Sequence, residues 1–185
     1  MLGDVSGKGA QAAALTSLAR NTVRAAAFHA PGTCQVLGLL DRAVVDHEAE
    51  GRYLTALFAF ITPGPGRVVV DLALGGHPRP LVVRADGQVE PVGVEGGALG
   101  LFPDPGWTET QLVLRSGEVL VAYSDGVTEA RRGDEEFGEQ RLRALLSAAS
   151  GRTAEGLAAR IEEAVLEFQQ GRFRDDLAVV VLRCR

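Results

Sequence analysis

Three acidic positions in the sequence have surroundings suited to holding a hard metal ion. Asp4 lies in G-D-V-S-G-K-G (residues 3–9), Asp125 lies in Y-S-D-G-V (residues 123–127), and the pair Asp175-Asp176 precedes an apolar run. Each lies where a predicted strand meets a glycine-containing or charged turn, so a rigid element would hold the carboxylate while its oxygens face solvent. Mg²⁺ and Mn²⁺ prefer oxygen ligands of this kind. Two such ions about 3.5–4 Å apart can share a bridging water and clamp a phosphate during in-line attack.

Each of these positions also has a simpler structural explanation. An Asp-Gly pair such as Asp125-Gly126 is most often a turn, and Asp175 could cap the final strand or pair with Arg172 or Arg174. The glycine-rich loop at residues 3–9 could cradle a phosphate in a nucleotide-binding protein. It does not fit the Walker A pattern, however, because too few positions separate its first glycine from the lysine and no Ser or Thr follows that lysine. Taken singly, the three positions are weak signals.

The composition narrows the class of protein. The chain has 185 residues, 46% of them apolar and 23% charged, which suits one globular domain over residues 1–185. Its formal net charge of −5 argues against binding to nucleic acid or to an anionic membrane. The three histidines do not have H-E-x-x-H spacing, and the two cysteines do not form a C-x-x-C pair. The longest apolar stretch, residues 54–61, is too short to span a bilayer. We therefore expect a cytoplasmic protein with reduced cysteines.

Periodicity and turn residues predict the elements that would position the acidic residues. Apolar residues recur at helical spacing in two segments near the start of the chain and in two near its end. The predicted helices are 9–28, 33–48, 136–149 and 153–168. Between them, short β-branched runs are separated by Gly and Pro turns, which favours an antiparallel meander. The predicted strands are 53–62, 67–74, 80–84, 110–114 and 118–123.

Two details of this prediction concern the strands nearest to the acidic residues. Residues 115–117 are predicted to join strands 110–114 and 118–123 as a tight hairpin. A final strand at 176–182 is an unbroken apolar run and is therefore predicted to be central in its sheet. Helices, strands, helices and a closing strand together predict an α+β sandwich.

Seven blocks of the sequence, taken in order, match the pattern of one family. They are G-D-V-S-G-K-G (3–9), T-A-L-F-A-F (55–60), G-G-H-P-R-P (75–80), G-x-x-L-G-L (ending at 101), Y-S-D-G-V-T-E-A (123–130), F-G (137–138) and R-D-D (174–176). Their order and spacing resemble the SpoIIE/RsbU-like branch of the metal-dependent type 2C (PPM) serine/threonine protein phosphatases. The match runs almost from end to end, which makes the resemblance specific.

The resemblance implies a fold and a set of site residues. The family fold is two antiparallel sheets packed face to face with helices outside, and the first two helices resemble the regulatory switch pair of these phosphatases. By the same resemblance, Asp4 bridges two metal ions, with the Val5 carbonyl as the backbone ligand beside it. Asp125 is then a second metal ligand and Asp175 a third, whereas Asp176 is structural. We interpret His77 as a hydrogen-bonded structural histidine and not as a ligand.

The resemblance also implies an activity. Metal-bound water at Asp4, Asp125 and Asp175, with Mn²⁺ or Mg²⁺ as cofactor, would hydrolyse phosphoserine or phosphothreonine without a phosphoenzyme intermediate. The implied substrate is a phosphorylated anti-anti-sigma-type protein in a bacterial partner-switching pathway. The sequence contains neither C-x5-R nor D-x-D-x-T, the motifs of phosphatases that do form such an intermediate.

One block of the family pattern does not occur in the sequence as given. Members usually carry a G-G-D block on a strand a few tens of residues before G-D-V-S-G-K-G, and its aspartate is another metal ligand. We therefore expect a sandwich that lacks the first strand or strands, with reduced metal occupancy. The open sheet edge would invite pairing and a possible homodimer. A catalytically impaired phosphatase-like binding module is the alternative function.

Overall fold

The predicted strands and helices occur in the predicted order, together with several short elements that the sequence does not predict. The computed structural model describes residues 1–47, 51–148, 151–171 and 176–185. The strands are β1 (Leu2–Val5), β2 (Leu54–Gly64), β3 (Arg67–Gly75), β4 (Leu81–Val83), β5 (Val89–Pro91), β6 (Thr110–Arg115), β7 (Val119–Tyr123), β8 (Arg131–Arg132), β9 (Glu135–Glu136) and β10 (Val179–Arg183). The helices are α1 (Ala10–Ala26), α2 (Thr33–Asp46), α3 (Asp125–Thr128), α4 (Gly138–Ser147) and α5 (Ala154–Phe168).

Two antiparallel sheets form the centre of the fold. The first sheet has the strand order β1-β2-β3-β6 and the second has the order β10-β7-β4-β5, while β8 and β9 pair as a small hairpin. Leucines and valines from both sheets form one buried cluster between them, including Leu72 and Leu114 from the first and Val82 and Leu120 from the second. The predicted α+β architecture with antiparallel sheets and helices is confirmed.

Helices cover the outer faces of both sheets. The α1–α2 hairpin packs on the first sheet through a cluster that includes Leu15 and Leu40. Helices α4 and α5 pack on the second sheet around Leu142 and Ile161. Every residue of β7 is buried because alternate side chains face α4 and α5 or the space between the sheets. The layers are therefore helix, sheet, sheet and helix.

The turn at residues 115–117 changes sheet, so the predicted hairpin is wrong. It is a tight turn, with the Glu118 N–H donating to the Arg115 carbonyl at 2.9 Å. However, β6 pairs with β3 in the first sheet and β7 pairs with β4 and β10 in the second. Side chains of both β6 and β7 enter the cluster between the sheets. The two strands consequently face each other across the core and do not pair side by side.

The prediction that the last strand is central is also wrong. Among the described residues, β10 pairs only with β7 and lies at the edge of its sheet. Leu182 packs in the cluster between the sheets, and Val179 and Val181 pack on the opposite face, beside α5, whereas Val180 is half exposed. An apolar run therefore indicates apolar contacts on both faces, and it carries no information on whether both edges of the strand are paired.

Helix α2 begins with a cap from a distant part of the chain. Gly32, at its N-cap position, has no side chain to accept a hydrogen bond. Instead, the Glu109 carboxylate accepts from the Thr33 N–H at 2.6 Å and from the Thr33 hydroxyl at 2.7 Å. These hydrogen bonds lower the pKa of Glu109. The carboxylate also lies at the positive end of the helix dipole, which adds to its stabilising effect.

Glu118 stabilises the turn between the two sheets. Its buried carboxylate accepts from Arg84 Nη1 at 3.2 Å and from the Arg115 N–H at 2.9 Å. We expect Glu118→Gln to lower the free energy of unfolding by about 1–2 kcal/mol because a buried charged acceptor is lost. Urea unfolding followed by circular dichroism measures this change.

The matched control for Glu118 is Glu90→Gln. Glu90 pairs with the same arginine, Arg84, at 2.7 Å, but its side chain is 50% exposed. Exposed ion pairs contribute about 0–1 kcal/mol. Equal losses for Glu118→Gln and Glu90→Gln would contradict the importance of the buried contact.

Within the described ranges, no helix combines the length and the apolar character needed to cross a bilayer.

Candidate metal centre

Asp4 and Asp176 line one cavity at the meeting point of the two sheets. The cavity has a volume of about 1060 Å³ and lies between the end of β1, the first turns of α1 and the residues just before β10. Val5, Lys8 and Ser124 also line it. Asp4 is exposed, as the prediction of a carboxylate facing solvent requires. The predicted ligand Asp4 therefore lines the same cavity as Asp176, the residue that was expected to be structural.

Pairing with β2 holds Asp4 in place. In the β1–β2 register Asp4 lies opposite Thr55. A Cβ atom on Gly3 would lie 2.6 Å from the Thr55 carbonyl oxygen, so a side chain at position 3 would push the two strands apart. The glycine before Asp4 is therefore required by the close approach of the two backbones.

Asp125 lines a different, smaller cavity. It is the first residue of α3, and its carbonyl accepts from the Glu129 N–H at 2.7 Å. The smaller cavity has a volume of about 330 Å³ and is also lined by His77, Arg79 and Glu129. Asp125 is connected to the larger cavity through Ser124, the residue before it in the chain.

Ser124 ties the start of α3 to the acidic turn before β10. Its hydroxyl accepts from the Ala178 N–H at 3.0 Å and donates to the Asp176 carbonyl at 3.2 Å. A Cβ atom on Gly126 would lie 2.4 Å from that same carbonyl oxygen. The backbones of Gly126 and Asp176 are therefore in close contact. Asp175, the third predicted ligand, lies outside the described residues.

His77 has the buried, hydrogen-bonded environment that was predicted for it. Its side chain is 3% exposed, and Nδ1 lies 2.9 Å from the Thr55 hydroxyl oxygen. Burial lowers the pKa of His77 to about 4, and the Tyr123 backbone partly offsets this. Nε2 is buried and has no partner in hydrogen-bond geometry among the described residues. His77 thus lies between Thr55, opposite Asp4, and the cavity of Asp125.

The donor atoms of the larger cavity fit a hard cation. Two acidic residues, Asp4 and Asp176, are among the described residues that line it, and neither cysteine nor histidine is. Such a donor set suits Mg²⁺ or Mn²⁺ better than Zn²⁺ or Cu²⁺. In the part of the chain that the structure describes, no three Asp, Glu, His or Cys side chains form a group able to hold a metal ion by themselves.

Comparisons with known proteins agree with this architecture. The family model of Stage II sporulation protein E (SpoIIE) matches residues 1–185. Phosphoserine phosphatase RsbU from Bacillus subtilis is 25% identical over 182 residues, which cover 98% of this chain and 54% of RsbU. The chain therefore spans about half the length of this relative.

Two solved structures share the fold. The structure of the RsbU and RsbW domains of Rv1364c from Mycobacterium tuberculosis superposes with a TM-score of 0.78 at 24% identity, covering 99% of this chain and 50% of that one. The SiaA-PP2C domain of Pseudomonas aeruginosa gives a TM-score of 0.77 at 20% identity, covering 98% and 73%. Since the family model spans the chain from its first residue to its last, the protein belongs to the Stage II sporulation protein E (SpoIIE) family.

Proposed function

We propose that this chain is the catalytic domain of a metal-dependent protein phosphatase that hydrolyses phosphoserine and phosphothreonine. One observation carries the proposal. Asp4 in β1 and Asp176 before β10 line one open cavity, and Gly126, the residue after Asp125, packs closely against the Asp176 carbonyl. Membership of the SpoIIE family and the relation to a phosphoserine phosphatase support the choice of reaction.

The proposed metal ligands are Asp4, the Val5 carbonyl, Asp125 and Asp175. Mn²⁺ or Mg²⁺ held there would supply Lewis acidity toward the phosphoryl oxygens and a lowered pKa for water. The chain's own residues position these groups: pairing with β2 holds Asp4, and the Ser124 hydroxyl ties the residue before Asp125 to the backbone of Asp176 and Ala178. Lys8, which lines the same cavity, would attract the substrate phosphate as a point charge.

The proposed substrate is a phosphorylated anti-anti-sigma-type protein, and the proposed setting is the cytoplasm. The cavity is wide and Asp4 is exposed, so a phosphorylated residue on a protein surface can approach it. Cys34 and Cys184 are both free, in keeping with a reducing compartment. The homodimer stays a prediction.

A second candidate is a phosphatase-like module that binds a phosphoprotein without hydrolysing it. The observation in its favour is that Asp4 and Asp125 line separate cavities. The two candidates differ in turnover and agree in fold.

Turnover of phosphopeptides in the presence of Mn²⁺ separates the two candidates. We expect the chain to release phosphate from a phosphoserine peptide and from p-nitrophenyl phosphate with Mn²⁺ or Mg²⁺, and to stop when EDTA is added. The reason is that the cavity offers carboxylates for the cation and no protein nucleophile of the cysteine type. A folded chain that binds the phosphopeptide but releases no phosphate with either metal would establish the binding module instead.

A further inference from the structure

We propose that Arg52 is a positioning residue that fixes the loop carrying Asp4 and Val5 and thereby sets the metal affinity of the site. The inference rests on the proposed function because it takes Asp4 and Val5 as metal ligands. Arg52 precedes β2 and is outside the ligand set, and no block of the family pattern quoted above contains it.

The guanidinium group of Arg52 joins the end of β1 to the first turn of α1. Nη1 donates to the Ser6 carbonyl at 3.0 Å, and Nη2 donates to Gln11 Oε1 at 2.9 Å. Between these two acceptors the chain passes through Gly7, Lys8 and Gly9, which lie in neither a helix nor a strand. One side chain therefore holds both ends of the loop that lines the larger cavity.

Ser6 is held by each of its polar groups. Its N–H donates to the Tyr53 carbonyl at 2.9 Å, and its hydroxyl oxygen accepts from the Tyr53 N–H at 2.9 Å. The Arg52 contact completes the set by occupying the carbonyl. Ser6 directly follows Val5, so these hydrogen bonds restrict the backbone whose carbonyl is a proposed ligand.

The loop is shaped around the guanidinium. Gly7 has φ 86°, a conformation that favours glycine. A Cβ atom at this position would lie 1.9 Å from Arg52 Nη1, so the guanidinium occupies the space that a side chain would need. Arg52 Nε is buried and has no acceptor among the described residues. An unpaired buried N–H lowers the stability of the fold. The position of the Arg52 guanidinium is therefore not explained by its contribution to stability alone.

The affinity of a site for a metal ion depends on how well its ligands are held before the ion binds. A ligand that is already held in the binding position loses less conformational entropy on binding. In the described part of the first sheet, β1 is an edge strand, paired only with β2. Beyond Val5, the hydrogen bonds between Ser6 and Tyr53 hold the backbone at Ser6, and those of Arg52 extend the restraint to Gln11 in α1. Loss of groups that orient metal ligands typically lowers metal affinity or activity about 10- to 100-fold.

Mn²⁺ titration by calorimetry tests the proposal without requiring turnover. We expect Arg52→Ala to raise the Kd for Mn²⁺ about 10- to 100-fold. Arg52→Lys should raise it less, since an ammonium can keep the charge but cannot span the two acceptors as a planar fork does. The matched control is Arg143→Ala, which removes an arginine that pairs with Glu139 on the surface of α4 at 2.6 Å. Its Kd should stay within about twofold of the wild type, since Arg143 contacts no proposed ligand.

Hydrogen exchange of the metal-free chain gives a second readout. Arg52→Ala should speed amide exchange in residues 6–13, where both acceptors lie, and leave β7 unchanged. Gly7→Ala should weaken Mn²⁺ binding strongly in the wild type, and by a smaller factor in the Arg52→Ala background, where the steric conflict with the guanidinium is gone.

The outcomes separate this inference from the proposed function. An unchanged Kd and unchanged exchange for both Arg52 variants overturn the inference and leave the phosphatase intact. A lower melting temperature with an unchanged Kd overturns it too, since Arg52 would then be structural only. If Arg52→Ala does not fold, Arg52→Lys decides by the same two measurements. Weakened Mn²⁺ binding in a chain that hydrolyses no phosphopeptide supports the inference and overturns the function. A wild-type chain that binds no Mn²⁺ overturns both.

Discussion

Asp125→Asn is expected to lower the rate of phosphoserine peptide hydrolysis by about a thousandfold. A proposed metal ligand loses its charge, and metal ions contribute several kcal/mol to stabilising a phosphoryl transition state. Each 1.4 kcal/mol is a factor of ten in rate, so a loss of about 4 kcal/mol gives this result. The fold should persist, because Asp125 accepts the hydrogen bonds from Glu129 and Thr128 through its backbone carbonyl, which the substitution retains. Phosphate release at saturating Mn²⁺ measures the rate, and circular dichroism checks the fold.

A carboxylate outside the site provides the control for Asp125. Asp104→Asn removes one negative charge from an exposed loop that lines neither cavity. Its rate should stay within about twofold of the wild type, since solvent and salt screen the charge of an exposed side chain. A decrease of less than tenfold for Asp125→Asn would remove Asp125 from the ligand set.

The metal-free chain is expected to lose about 3 kcal/mol of stability between pH 6.5 and pH 4 through His77 alone. Burial lowers the pKa of this histidine from 6.5 to about 4 in the folded chain. Between those values the unfolded chain binds a proton at position 77 and the folded chain does not. Lowering the pH therefore favours unfolding, and each pH unit in this window contributes about 1.4 kcal/mol. Above pH 6.5 this contribution is fully present.

Comparison with His77→Gln isolates the contribution of the histidine. Glutamine does not titrate, so the difference in unfolding free energy between wild type and variant should change by about 3 kcal/mol across the window. Urea unfolding in EDTA at intervals from pH 7 to pH 4 measures it. Glu109 and Glu135, whose pKa values are lowered by their hydrogen bonds, lose stabilisation at more acidic pH in both proteins and cancel in the difference. A constant difference across the window would show that His77 is not buried in its neutral form.

Much of the fold could be predicted because local patterns determine it. The four long helices were predicted to within about two residues at most ends, since an amphipathic stripe and a Pro or Gly stop are both local signals. The sequence does not predict the short helix α3, the short strand β5 or the hairpin β8–β9. Strands of two or three residues carry too little alternation to be recognised.

Sheet membership could not be predicted, because a strand's pattern shows which faces are buried and not which neighbour covers them. The strands β6 and β7 are an example. A three-residue turn between two apolar runs is typical of a hairpin, but here the turn leads from one sheet to the other across the core. The position of β10 at the edge of its sheet could not be predicted from the sequence for the same reason. Its partner β7 is distant in sequence.

The acidic positions of the site could be proposed from motifs, but the residues that support them could not. Asp4 and Asp125 stand in recognisable glycine-containing blocks. Arg52 lies in no such block, and its contacts with Ser6 and Gln11 span about forty residues of chain. Ser124 was inside a recognised block, but its bond to the Asp176 carbonyl exists only once β7 and β10 have paired.

The cap on α2 ties the formation of this helix to the completion of the first sheet. The bond between Thr33 and Glu109 closes a segment of 76 residues that contains β2, β3, β4 and β5. Closing so long a loop costs conformational entropy, so the cap forms after the strands have paired and not before. Until then the N–H of Thr33 has water as its partner, and the first turn of α2 frays. We therefore expect the start of this helix to form late in folding, although its apolar stripe is among the most local signals in the sequence.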